Sequence, residues 1–465
     1  MVRIALLCLG AIVIVVVAGA ALLLSREAPG IRVGTAVASR TLCEAVFVSH
    51  VDPATLYAEA IKPNPGQTRL ARRLKYEIDR QARQVTVTWA GRFQGRSVYR
   101  DSLGCMVIPE SSPANLPSLD SSESAAGAAS AKADASQFEI KPSSPALETA
   151  LDRAFAEPAT PPYRRTKAIV VVHDGKIFAE RYTPGYTAQT PILGYSLAKS
   201  VTNALVGILV RQGKLSVDQR APVAAWSDPA DPRHAITIDQ LMRMTSGLAL
   251  EESDSGFDPV SRMLFLEPDM AAFAEKARLK AAPGKAWEYT SGNTLILSQI
   301  VRDATGGNAQ GVYEFAQREL FQPLGITSAT IEFDPAGTPV GSTYALASAR
   351  DWARLGELYL HDGVVDGKRV LPEGWVQYSA SPTLDTDYGA GFWTNRSGHG
   401  DAADRIQAGM PADAFYGSGN LGQRLVVIPS QDLVIVRLGL SYGPDFDIRG
   451  LLKLISDTMA ALPKK

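Results

Sequence analysis

The sequence predicts an α/β protein of the α+β type: an antiparallel sheet flanked by helices, with an all-helical region beside it and a small mixed α/β unit in front. Three observations point there. Residues 168–172 (Ala-Ile-Val-Val-Val) read as a buried strand, and His173-Asp174-Gly175 turns them into a second run at 176–180. The far end of the chain reads strand, strand, helix at 424–428, 433–438 and 448–462. Between these ends apolar residues recur at helical spacing, as in Leu197, Val201, Leu205, Ile208 and Leu209, with Gly213 as a left-handed stop. A sheet built from both ends of a large region, with helices inserted between, fits that order.

From the N-terminus, residues 4–24 are an unbroken stretch of apolar, Gly and Ala residues between Arg3 and Ser25-Arg26. That is the length of a membrane-spanning helix and exceeds a usual signal-peptide core, so 1–26 reads as an uncleaved membrane anchor. A signal cleaved after Val17-Ala18-Gly19-Ala20 is the alternative, and both readings place the rest of the chain outside the cytoplasm, in the periplasm of a bacterium. Arg3 and Arg26 on either side leave the positive-inside rule silent. Cys8 belongs to this segment; Cys43 and Cys105 remain, and in an oxidising compartment they form a plausible bridge, two free thiols being the other reading.

Residues 31–109 read as a small mixed α/β unit, with an apolar run at Ala45-Val46-Phe47-Val48 and strand-like runs at 84–89, 97–99 and 105–108. The basic stretch 69–83 reads as a solvated helix face. Residues 110–144 are rich in Ser, Ala and Pro and read as a linker. The stretch 145–465, opening with a helix near 146–155, is large enough for a substantial core. With 465 residues, 46% hydrophobic, 20% charged and a formal net charge of -1, the composition is ordinary for a globular protein. It gives no electrostatic case for nucleic acid as a partner. The five histidines are scattered, and no cofactor fingerprint or metal-ligand cluster stands out, so no cofactor is expected.

Chemistry enters at Ser196-Leu197-Ala198-Lys199, the only place where a serine stands three residues before a lysine. On a helix the two share a face one turn apart, so the amine is placed to take the hydroxyl proton. A serine at a helix N-terminus also has free backbone N–H groups beside any developing negative charge. Three further segments join this pair: Met242-Arg243-Met244-Thr245-Ser246-Gly247-Leu248, the loop Glu288-Tyr289-Thr290-Ser291-Gly292-Asn293 leading into a helix at 295–301, and Gly417-Ser418-Gly419-Asn420-Leu421-Gly422 before a terminal strand.

These motifs, in this order, resemble the serine hydrolases that share the fold of class C β-lactamases and penicillin-binding proteins, and look closest to the branch of 6-aminohexanoate-dimer hydrolases and esterases. The resemblance covers about the last two-thirds of the chain. Ser196 and Lys199 match its S-x-x-K element, and Tyr289-Thr290-Ser291 its Y-x-S element. Lys-Thr-Gly is absent, the Gly417–Gly422 stretch standing in its place, which argues against recognition of a β-lactam carboxylate. The resemblance implies that Ser196 attacks a carbonyl, Lys199 takes its proton and Tyr289 passes one to the leaving group. Ser291 would bond Lys199 or the substrate amide. The oxyanion would rest on the Ser196 N–H and one from Ser418, Gly419 or Asn420. Glu251 and Glu252 read as solvent-facing or lining the site entrance, and 388–393 as an aromatic strand that shapes an acyl pocket or packs in the core.

The function expected is an exported serine hydrolase acting on a small-molecule or peptide-like ester or amide through an acyl-enzyme. A β-lactamase or D-amino-acid peptidase working on peptidoglycan is one alternative. An inactive binding or sensor protein of the same fold is the other.

Overall fold

The computed structural model describes residues 28–63, 71–119, 138–253, 255–443 and 446–463. The apolar stretch read as an anchor lies outside them, and no helix among the described residues is long and apolar enough to cross a membrane. A helix, α1, covers 28–47 and is buried along most of its length. Four strands follow as a meander: β1 (Leu74–Asp79), β2 (Gln84–Trp89), β3 (Phe93–Arg100) and β4 (Gly104–Val107). Residues 74–79 of the basic stretch are therefore a strand, not a helix face. Every residue of β1 pairs with β2, whose alternating valines and threonines favour extended backbone. The charged residues of β1 take the solvent side.

The Ser/Ala/Pro-rich segment is ordered at both of its described ends. Leu116 and Leu119 pack against Leu103, Met106, Val312 and Phe333. Glu139–Ile140 (β5) pairs in parallel with the strand at Lys176–Tyr182, which narrows the linker from the side of the large domain. Helix α2 (Pro145–Phe155), capped by Ser144, leads to β6 (Thr166–His173) and β7 (Lys176–Tyr182). Helices α3 (Ala198–Arg211), α4 (Ser291–Ala304) and α5 (Ala349–Leu360) follow, then β8 (Trp393–Thr394), β9 (Phe415–Gly419), β10 (Gln423–Ile428), β11 (Leu433–Gly439) and α6 (Ile448–Ala461).

The main sheet has the order β8-β9-β10-β11-β6-β7-β5, so its centre joins the two ends of the large region. Every residue of β6 is buried because helices cover both faces. Ala168, Val170 and Val172 enter a core with Leu197, Val201 and Leu205 of the α3 side. Ile169 and Val171 enter a second core with Leu147, Leu151, Leu451 and Leu454 of α2 and α6. Alternation along one strand thus joins two layers, and each such branched side chain contributes about 1.5–3 kcal/mol when fully buried.

The N-terminal unit shares the first of these cores: Ala38, Leu42, Val85 and Val87 belong to the same cluster as α3. A disulfide joins Cys43 to Cys105 across 62 residues, a constraint worth about 4 kcal/mol in the chain-entropy account. Beside it, Arg40 is buried between two carboxylates. Its Nε and Nη2 donate to Glu332 at 2.9 and 2.5 Å, and its Nη1 donates to Glu44 at 3.2 Å. Glu332 also accepts from the Cys105 N–H at 2.8 Å. One cation facing two buried acids leaves an excess negative charge. Desolvation accordingly pushes Glu44 up to about 7 and raises Glu332 as well.

Arg40→Met would leave both acids buried without their cation and should cost about 3–5 kcal/mol by urea denaturation. Glu44 is raised by folding, so its protonated form is the one the fold favours: that contribution is complete below the ordinary glutamate range and fades as pH rises through about 7. Glu44→Gln should therefore gain stability relative to the native protein between pH 5 and 8. A flat difference over that range would contradict this assignment of the proton.

Candidate active site

A three-stranded ribbon, in which Ala345–Ala347 pairs with both Ile192–Leu193 and Thr330–Ile331, carries the chain to the start of α3. There Gly194 N–H donates to Ala345 at 2.8 Å, and residues Tyr195–Leu197 form a single 3₁₀ turn. Tyr195 has φ +47°, left-handed for a residue with a side chain. Such a conformation costs about 1–3 kcal/mol and persists only where its surroundings over-determine it. Here it sets Ser196 at the mouth of α3, with Lys199 one turn further in.

Lys199 is 3% exposed. Its Nζ donates to Ser196 Oγ, Ser291 Oγ and the Ser342 carbonyl, each at 3.1 Å. The same Nζ lies 4.6 Å from the centroid of the Tyr289 ring. Three segments far apart in sequence, at 196–199, 289–291 and 342, thus converge on one amine, and Ser196 Oγ is one of the two hydroxyls it bonds.

Ser291 is the first residue of α4, with Thr290 as its cap. Its hydroxyl accepts from Lys199 and donates to Glu252 Oε1 at 3.0 Å, while its backbone N–H donates to Glu252 Oε2 at 2.5 Å. Glu252 therefore reaches the site through Ser291, a contact the sequence does not reveal because the loop holding Glu252 lies far from Ser291 along the chain. Ser246 donates to Asn293 Oδ1 at 2.7 Å and ties the Thr245-Ser246-Gly247 turn to the same helix end.

Tyr289 stands in an aromatic wall. Its ring stacks on Trp393 at 5.9 Å and meets Tyr388 edge-on at 5.7 Å, and Trp287 packs on both of those partners. Burial holds the Tyr388 phenol well above its usual value, so it stays neutral. Residues 388–393 are not a continuous strand: Tyr388 and Trp393 bridge each other across a tight turn, and only Trp393–Thr394 joins the sheet. Gly391, with φ +78°, lets that turn approach α3.

Strand β9 closes the other side. It pairs with β8 only at Phe415 and Tyr416, so beyond Tyr416 its outer edge runs beside Gly194 and Leu197 without a strand partner among the described residues. A Cβ on Gly417 would lie 2.8 Å from Leu197 Cδ2, and one on Gly419 would lie 2.1 Å from the Gly194 carbonyl. At 419 a side chain would run into backbone, whereas at 417 it would meet the end of the Leu197 side chain. Ser418 lies between them and so points to the opposite face, with Arg424 as its partner across the strands. Asn420 turns its Oδ1 back to the Leu421 N–H at 2.8 Å. Of the three residues expected around the oxyanion, Gly419 is packed against Gly194, two residues before Ser196. Among the described residues no group of three His, Cys, Asp or Glu is placed to hold a metal ion.

Comparison with known proteins matches this architecture. The family model described as "Beta-lactamase" covers residues 151–455. A 6-aminohexanoate-dimer hydrolase of Paenarthrobacter ureafaciens is 27% identical over 308 residues, which is 61% of this chain and 74% of the relative. Among solved structures, a penicillin-binding protein homolog from Caulobacter crescentus superimposes with TM-score 0.54 at 18% identity, over 69% of this chain and 99% of its own. A family VIII carboxylesterase superimposes with TM-score 0.52 at 16% identity, over 69% and 99%.

The close seat of β9 against the start of α3 makes its glycines a direct test of the site's construction. Gly419→Ala has to push back Gly194, and should lower stability by about 1–3 kcal/mol by denaturant titration, the usual cost of overpacking. Unchanged stability would show that β9 does not press on the Ser196 turn.

Proposed function

The chain belongs to the beta-lactamase family, and within it we propose a serine hydrolase that cleaves a linear amide or an ester through an acyl-enzyme on Ser196. One observation carries the reading: Ser196 Oγ lies 3.1 Å from a buried lysine amine that is held on its other sides by Ser291 and the Ser342 carbonyl. A binding protein has no use for a nucleophile paired with a base in this way.

In the proposed reaction Ser196 Oγ forms a bond to the carbonyl carbon while its proton passes to Lys199 Nζ. The charge on the tetrahedral oxygen is met by the Ser196 N–H and by backbone N–H on the free edge of β9. As the bond to the leaving alcohol or amine breaks, Tyr289 supplies that group with a proton, replaced from Lys199. Water then adds to the acyl carbon as one of its protons passes to Lys199 Nζ; the bond to Ser196 Oγ breaks, and that proton moves from Lys199 to the serine oxygen, leaving the acid product.

Two features support a linear amide or ester over a β-lactam. The relative of most direct bearing is named for hydrolysis of the 6-aminohexanoate dimer, a linear amide. The Gly417–Gly422 stretch stands where the family carries Lys-Thr-Gly, so that lysine is missing. The wall of Trp287, Tyr289, Tyr388 and Trp393 suits an acyl group with an extended apolar portion. We further propose export: the apolar residues 4–24 have the length of a membrane span, and the Cys43–Cys105 bridge suits an oxidising compartment.

Lys199→Ala and Tyr289→Phe should each lower kcat by about 10² or more, and the double variant by less than the product, since both serve one proton path. Purified protein should turn over linear amides or esters faster than β-lactams; hydrolysis of β-lactams alone would move the function to the alternative within the family. Protein taken from its native membrane under non-reducing conditions should yield one Cys43–Cys105 peptide, and alkylation of both thiols would reject export.

A further inference from the structure

We propose that Glu252 is a positioning residue for the proton transfer: it fixes Ser291 and, through it, the orientation and charge of Lys199. This rests on the reading of Ser196 and Lys199 as nucleophile and base. The carboxylate takes both donors of Ser291, the hydroxyl at 3.0 Å and the backbone N–H at 2.5 Å. With its single O–H committed to Glu252, the Ser291 oxygen can only accept from Lys199. The direction of the whole relay is thereby set. Lys199 gives a hydrogen bond to Ser291, and bonds the Ser342 carbonyl and Ser196 Oγ from the same amine.

Glu252 also sits at the N-terminus of α4, a helix of 14 residues, where the backbone dipole favours a carboxylate. The segment that carries it is anchored downstream. Ser255 and Ser261 bond Asp258, and Phe257 lies over Gly30 of α1. Among the described residues, the titratable groups that face Lys199 include Tyr289 from the loop before α4 and Glu252 through Ser291, with Tyr388 behind Tyr289. Glu252 is the one carboxylate in this set. A carboxylate near an amine favours its protonated form, so Glu252 holds the lysine charged to higher pH than the site would otherwise allow.

The test is the pH dependence of kcat and KM for Glu252→Gln and Glu252→Asp, with Ser196→Ala as control. Gln keeps an acceptor for the Ser291 N–H but removes the charge. Its acid limb in kcat/KM should move to lower pH by about one unit, because the free amine then appears at lower pH. Its kcat at the optimum should fall about tenfold or more with KM little changed, as positioning errors in a proton relay usually cost at least that much. Asp, which retains the charge, should restore the native limb. Superimposable profiles for Gln and the native enzyme, or a rise in KM alone, would overturn the positioning role while leaving Ser196 and Lys199 in place. An active Ser196→Ala enzyme would overturn the underlying reading and this proposal with it.

Discussion

A buried lysine amine is costly unless every N–H finds a partner, and satisfying Lys199 governs the shape of the surrounding molecule. Its three acceptors come from the 3₁₀ turn at Ser196, the N-terminus of α4 and the turn at Ser342. Bringing them within 3.1 Å explains features that look like defects taken singly. Tyr195 is held in a left-handed conformation, β9 carries glycines where a side chain is expected, and α4 begins with a serine instead of a stronger helix former. Each departs from local preference at the site and nowhere in the sheet core.

The N-terminal unit takes part in this arrangement. Arg40 of α1 ties to Glu332, and its guanidinium lies 3.8 Å from the Tyr344 ring centroid. Glu332 and Tyr344 flank the turn whose Ser342 carbonyl receives Lys199. Helix α1, its disulfide and its buried ion cluster thus brace the wall behind the amine. With Phe257 resting on Gly30, the loop of Glu252 meets the same helix.

Much of the large region was legible from periodicity. The strands at 166–173 and 433–439, the long helix after Ser196 and the helix after Tyr289 all announce themselves through runs of branched residues or helical spacing. Ser196 and Lys199 were readable because their geometry is local to one helical turn. What escaped was long-range or surface-exposed. Glu252 meets Ser291 across 39 residues, and no spacing rule encodes that contact. The strand at 74–79 has mostly charged exposed residues, so its extended form depends on pairing with β2 and leaves only a faint trace in its own sequence.

The central claim is a covalent one, and the most direct measurement is the mass of the protein caught during turnover. Acid quenching of a slow ester reaction, followed by peptide mapping, should find one acyl group on the peptide that contains Ser196 and none in Ser196→Ala. Turnover without any adduct under conditions where deacylation limits the rate, or an adduct on another residue, would contradict the assignment of Ser196 as nucleophile.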